Sequence, residues 1–170
     1  DYTPGGKLPV TFYRSNNDLP DFLDYSMKNR TYRYFTGVPQ YAFGYGLSYT
    51  TFSVGKGKAV FNKKNVKVGK PSCAVVVPVT NTGNREGTET VQVYVKRLGD
   101  EGAPIKALKG FKKVSLKPGE SQNVVIGLDS EAFEYYDEMI DELAVKPGKY
   151  QILYGTSSRD EDLKSFDFSF

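Results

Sequence analysis

The residues best suited to chemistry with a ligand are Tyr32, Arg33 and Tyr34, within Arg30-Thr31-Tyr32-Arg33-Tyr34. Tyrosine faces stack on pyranose rings, and guanidinium groups donate hydrogen bonds to hydroxyls. The competing reading is that these rings pack against protein. The same stretch overlaps Asn29-Arg30-Thr31, a bare glycosylation tripeptide. Asp137, Glu138, Asp141 and Glu142 form the one dense carboxylate cluster, and it reads as a solvated loop. It fails as a calcium loop, because 129–142 has no glycine at the required turn position.

Other chemistry is excluded by composition. The chain has no histidine, so the usual general base, the Ser-His and Cys-His nucleophiles and the commonest zinc ligand are missing. The single cysteine, Cys73, sits in Pro-Ser-Cys-Ala-Val-Val-Val and is expected as a buried structural thiol. Gly44 and Gly46 lack phosphate-loop spacing and are expected to make backbone room for neighbouring rings. The net charge of +3 is a mild excess, read as spread along the chain and too weak for nucleic acid. No apolar run approaches the ~20 residues of a membrane helix. The chain opens with neither a secretory signal nor Met, which reads as processing or a cut chain.

Two regions must position these residues. Residues 1–52 hold eight Tyr and five Phe, with Pro4, Pro9, Pro20 and Pro39. The remainder is Val-rich with regular turn signals, so the boundary falls near 53–57, giving parts 1–55 and 56–170. In the first part, Leu8-Pro9-Val10-Thr11-Phe12 reads as a short strand. Residues 18–27 read as a short helix with Asp18 as its cap and Pro20 in its first turn. Residues 31–52 are aromatic without sustained period, an extended arm that buries rings against another surface.

The second part reads as all-β. Val91, Val93 and Val95 alternate with Gln92 and Tyr94, a half-buried strand with Val93 inward and Gln92 outward, where Asp would be tolerated. Val124, Ile126 and Leu128 repeat the pattern, as do Tyr150, Ile152 and Tyr154, and Phe166, Phe168 and Phe170. Residues 74–79 read as a core strand in which Pro78 implies an edge or a bulge. Lys117-Pro118-Gly119-Glu120 and Lys146-Pro147-Gly148-Lys149 fit type II turns. Residues 130–136 read as a helical turn capped by Ser130. Tyr150 is either a tyrosine corner or simply a core ring. About seven strands in this length match an immunoglobulin or fibronectin type III-like β-sandwich.

Several motifs together resemble the C-terminal part of family 3 glycoside hydrolases, the β-glucosidases and β-xylosidases of plant-polysaccharide breakdown. They are Gly6-Lys-Leu-Pro-Val-Thr-Phe-Tyr13, Arg30-Thr-Tyr-Arg-Tyr-Phe35, Phe43-Gly-Tyr-Gly-Leu-Ser-Tyr-Thr-Thr-Phe52, Asn81-Thr-Gly-Asn-Arg-Glu-Gly87, Val91-Gln-Val-Tyr-Val95, Leu108-Lys-Gly-Phe-Lys-Lys-Val114 and both Pro-Gly turns. One departure is Ala42, where the family commonly has Pro. The resemblance implies a barrel supplying a nucleophilic Asp, an α/β domain supplying an acid/base Glu, and a fibronectin type III-like domain. This chain would hold the tail of the second and all of the third. It therefore implies no catalytic residue, metal or cofactor here, with Tyr32, Arg33 and Tyr34 as candidate substrate contacts at the crevice rim. The implied partners are the catalytic domains of the same polypeptide, and β-linked sugars only through them, in a secreted or periplasmic setting. Nucleic acid and membrane are not expected, and weak self-association through the aromatic arm is. The rivals are a free-standing carbohydrate-binding sandwich, whose aromatic row could come only from Tyr94, Tyr135 and Tyr136, and a cell-surface adhesion module. The arm speaks against both.

Overall fold

The computed structural model describes residues 3–170. The valine alternation produces strands that pair into two antiparallel sheets. The first has the order β10 (Leu163–Ser169), β9 (Lys149–Gly155), β4 (Gly87–Arg97), β5 (Ala107–Leu116). In the second, β3 (Cys73–Asn81) is central. It pairs on one side with β6 (Ser121–Leu128), and on the other with β1 (Phe52–Val54) and β2 (Lys58–Phe61) in succession. A separate hairpin joins β7 (Glu134–Asp137) to β8 (Glu142–Val145). The architecture is the expected β-sandwich. Val75, Val77 and Val79 of β3 and Val91, Val93 and Val95 of β4 are fully buried between the sheets.

Pro78 lies in a central strand rather than at an edge. Its carbonyl accepts from Gly55 N at 2.8 Å, and within a strand the N–H and C=O of one residue point to the same side. The missing N–H therefore faces the joint where β1 stops and β2 has not begun, so no ladder bond is lost. Cys73 is buried at the start of β3, and burial pushes its thiol up to about 12, so the inert reading holds.

The turns divide. Gly119 has φ 74 and Glu120 N donates to Lys117 O at 3.0 Å, a closed turn of the expected kind. Gly148 instead has φ 155, and its N–H donates to Phe170 O at 3.0 Å, so pairing with the final residue replaces turn closure. Of the helical turn expected over 130–136 only Ser130–Phe133 forms, as a 3-10 segment with Asp129 rather than Ser130 at the cap position and no side-chain cap bond; from Glu134 the chain is already strand β7.

Tyr150 resolves as a corner. Its ring is buried, and its hydroxyl donates to Lys146 O at 2.6 Å, four residues upstream. Tyr150→Phe is expected to cost about 1–1.5 kcal/mol. For this chain length that lowers the melting temperature by about 3–5 °C. Calorimetry giving no shift would mean the hydroxyl is as well served by water.

Candidate functional site

The arm begins as two strands of irregular ladder. Leu8 N donates to Tyr45 O at 2.8 Å, Gly44 N to Leu8 O at 2.8 Å, and Phe12 N to Tyr41 O at 2.9 Å. Residues 8–12 thus pair antiparallel with 40–45, through a single isolated bridge at Phe12 and Tyr41. The helix expected over 18–27 is absent. Asp21 Oδ1 accepts from Leu23 N and Asp24 Oδ1 from Ser26 N, both at 2.8 Å, so the side chains divert the backbone into turns. The arm's helical residues are instead a 3-10 turn, Asn16–Asp18, capped by Ser15, and one turn of α-helix, α1 (Thr31–Tyr34). Arg30 ties the intervening loop together, donating from Nε to Ser26 O at 2.9 Å and from Nη2 to the carbonyls of Asp21 and Asp24.

This arm lies across the outer face of β4, and that corrects the expectation for Gln92. Alternation does put Gln92 opposite Val93, but the outward face is not solvent, and Gln92 is only 3% exposed. Its Nε2 donates to Gly44 O at 3.0 Å and Thr156 O at 2.7 Å, and its Oε1 accepts from Tyr94 OH at 2.5 Å. Burial pushes the Tyr94 hydroxyl well above the usual range, so it stays protonated as that donor. Gly44 has φ 77, and a Cβ there would sit 2.1 Å from Gln92 Oε1, which makes glycine obligatory. Gly46 meets Gly6 O at 2.2 Å by the same measure.

A second anchor is Asn81, fully buried at the end of β3. Its Nδ2 donates to Arg85 O at 2.7 Å and Leu116 O at 2.9 Å; its Oδ1 accepts from Thr50 Oγ1 at 2.8 Å and Gly83 N at 3.0 Å. One side chain thereby fixes the 81–87 loop, the end of β5 and the arm. Lys7 and Glu89 add an ion pair at 2.6 Å. Nothing in the residue pattern marked Asn81 and Gln92 as linchpins, beyond a polar residue on an otherwise apolar strand.

The candidate contacts Tyr32, Arg33 and Tyr34 are parted by α1. Tyr32 stacks on Phe43 at 4.1 Å, meets Tyr94 edge-on at 5.9 Å, and accepts from Leu108 N at 3.0 Å. It borders a cavity of about 280 Å³ that Arg14, Thr36, Lys106, Arg159 and Asp160 also line. Lys106 is buried there, donating to Ser158 O at 2.8 Å and paired with Asp160. Arg33 and Tyr34 open on a different groove, of about 740 Å³, with Lys109, Glu131, Tyr136 and Met139. The Arg33 guanidinium sits 5.8 Å from the Tyr34 ring centre. Asn29 of the glycosylation tripeptide is exposed, with φ 56, and its Oδ1 accepts from Thr36 Oγ1.

The carboxylate cluster forms the hairpin tip. Asp137 pairs with Lys146 at 2.8 Å, and hydrogen bonds from Lys146 and Met139 N hold its carboxyl below the usual range. Asp141 accepts from Tyr136 OH. Of the supposed aromatic row, Tyr94 and Tyr135 are buried and only Tyr136 is exposed, so no stacking platform forms from those three.

Residues 89–158 match the family model described as a fibronectin type III-like domain. The xylan 1,4-beta-xylosidase of Xylanibacter ruminicola is 48% identical over 96% of this chain and 18% of its own length. A periplasmic beta-glucosidase of Salmonella typhimurium is 36% identical over 98% of this chain and 23% of its own. Among solved structures, the GH3 beta-glucosidase of Bifidobacterium adolescentis superposes with a TM-score of 0.84 at 33% identity, across 99% of this chain and 26% of that one. The fold is that of a fibronectin type III-like β-sandwich with an aromatic arm laid over it. Over nearly its whole length the chain is similar to family 3 glycoside hydrolases, in the stretch that includes this domain. It spans about a fifth to a quarter of the length of the relatives it matches.

Proposed function

We propose that this chain is a non-catalytic C-terminal module of a glycoside hydrolase acting on terminal β-glucosides or β-xylosides of plant polysaccharides. Residues 1–55 are the tail of the preceding domain with its connecting arm, and 56–170 are the sandwich. The parent uses a retaining, two-carboxylate mechanism on the catalytic domains, and the module braces those domains from one side. Tyr34 and Arg33 face outward at the rim, and Tyr32 holds α1 to the sandwich. A secreted or periplasmic setting accords with the periplasmic relative. Among the described residues no helix is long and apolar enough to cross a membrane.

The observation that carries this reading is the loop before α1. Phe22 is 89% and Tyr25 88% exposed, and Leu19, Leu23 and Met27 stand out beside them. A side chain of this size gains about 1.5–3 kcal/mol when buried. Five such side chains in nine residues mark a surface made for a partner, and the relatives' remaining length supplies one. Hydrogen exchange on this chain and on the full-length polypeptide tests the reading. Residues 19–27 are expected to exchange freely in the former and to be protected in the latter. In parallel, the 170-residue chain is expected to release no nitrophenol from aryl β-glucosides or β-xylosides. Equal, rapid exchange in both proteins would reduce the loop to a linker, and turnover surviving repurification would overturn the non-catalytic assignment.

A further inference from the structure

The charge is not spread along the chain; it is segregated. From Tyr25 through Arg85 there is no acidic residue, and Lys56, Lys58, Lys63, Lys64, Lys67 and Lys70 fall within 15 positions. All six are exposed, and among the described residues none is in an ion pair. From Asp129 through Glu142 there are seven carboxylates and no Lys or Arg.

The fold brings Lys63, Lys64, Lys67 and Lys70 and the carboxylates after Leu128 to one end of the sandwich, with Lys56 and Lys58 further along the sheet. Phe61 at the end of β2 pairs with Cys73, and Cys73 pairs with Leu128 at the end of β6. The short helix α2 (Lys63–Lys67) leaves the sheet after Phe61, and the acidic segment leaves it after Leu128. A groove of about 430 Å³ lined by Val60, Asn62, Ser72 and Asp129 lies between the two. Each patch also has an apolar centre. Val60 and Val68 are exposed amid the lysines, and Met139, at 93% exposure, stands with Ile140 and Leu143 amid the carboxylates. An apolar centre within a charged rim is the make-up of a protein–protein interface. Of the four ion pairs among the described residues, none joins the two patches. Lys146, Lys109 and Arg33 border the acidic side, but among the described residues neither Glu138 nor Glu142 is in an ion pair.

We propose that two copies of this chain associate through a twofold contact, in which the lysine segment of each faces the β7–β8 hairpin of the other. With both patches at one end, a twofold axis sets each against its complement twice and closes the assembly. A polyanion or an anionic lipid surface is the poorer occupant. Contact with the lysines would press the neighbouring carboxylates against like charge.

Sedimentation velocity on the 170-residue chain reads the outcome. At about 20 mM salt, where the screening length is roughly 20 Å, a concentration-dependent dimer is expected. At about 500 mM salt, where screening falls to roughly 4 Å, the monomer should dominate. Lys63→Glu/Lys64→Glu/Lys67→Glu in one protein, and Glu138→Lys/Glu142→Lys in another, should each sediment as monomers with an unchanged melting temperature. Their equimolar mixture should restore the dimer, because the reversed patches complement each other. A monomer at every salt concentration would overturn the proposal. So would association that persists in high salt and vanishes with Phe22→Ser/Tyr25→Ser, which would place the contact on the arm. A monomer that is retained on polygalacturonate through the same lysines would overturn it in favour of a polyanion surface.

Discussion

Val93→Asp is expected to leave the chain without a cooperative thermal transition. Val93 is fully buried in the middle of β4, between Val91 and Val95 and among the valines of β3. A carboxylate there finds no cation, and burying it unpaired costs several kcal/mol. The whole stability of such a domain is about 5–15 kcal/mol, so the substitution removes most or all of it. Differential scanning calorimetry should show a flat trace, with loss of the near-ultraviolet tyrosine signal. A sharp transition within a few degrees of the parent would mean that β4 is turned the other way.

Gln92→Asp, one residue away, is expected to fail differently. The sandwich should survive and the arm should come loose. The substitution removes the two N–H groups that hold Gly44 O and Thr156 O, and sets a carboxylate against those same carbonyls. Leaving buried acceptors unpaired and opposed by charge is expected to cost about 2–4 kcal/mol. Hydrogen exchange should quicken at Ser158, whose amide donates to Phe43 O across the seam, and at Gly44 and Tyr45, whose amides are bonded within the arm to Leu8 O and Ala42 O, while 91–95 stays slow. Gly44→Ala should reproduce the pattern by another cause, since its φ of 77 and the 2.1 Å approach to Gln92 Oε1 exclude a methyl group. Unchanged exchange in both variants would show that the arm is held elsewhere, at Asn81 and the Lys7–Glu89 pair.

How far the sequence can be read shows in this pair of neighbours. The face of Val93 follows from period-2 alternation, because a strand's side chains point to opposite sides whatever surrounds it. The environment of Gln92 does not follow, because alternation names the opposite face without saying what lies on it. The same division recurs in the arm. Its rings declare that it must be buried, but α1 forms at Thr31–Tyr34 and not over 18–27, since Asp21 and Asp24 claim the backbone amides locally. Tyr32, Arg33 and Tyr34 are adjacent in sequence and divided in space, because a single helical turn points them at two different grooves.

By itself the sequence determined strands β3, β4, β6, β9 and β10, the inward valines, the buried Cys73, the Gly119 turn and the resemblance to family 3 glycoside hydrolases, all consequences of local periodicity, turn chemistry and shared motifs. Only the tertiary structure decided that Pro78 could occupy a central strand, since its silent side falls on the joint between β1 and β2. It alone decided that Asn81 and Gln92 would be buried, and that lysines and carboxylates far apart in the chain would share one end of the sandwich. Each of these depends on pairing between distant segments, and no local pattern records which segments will meet.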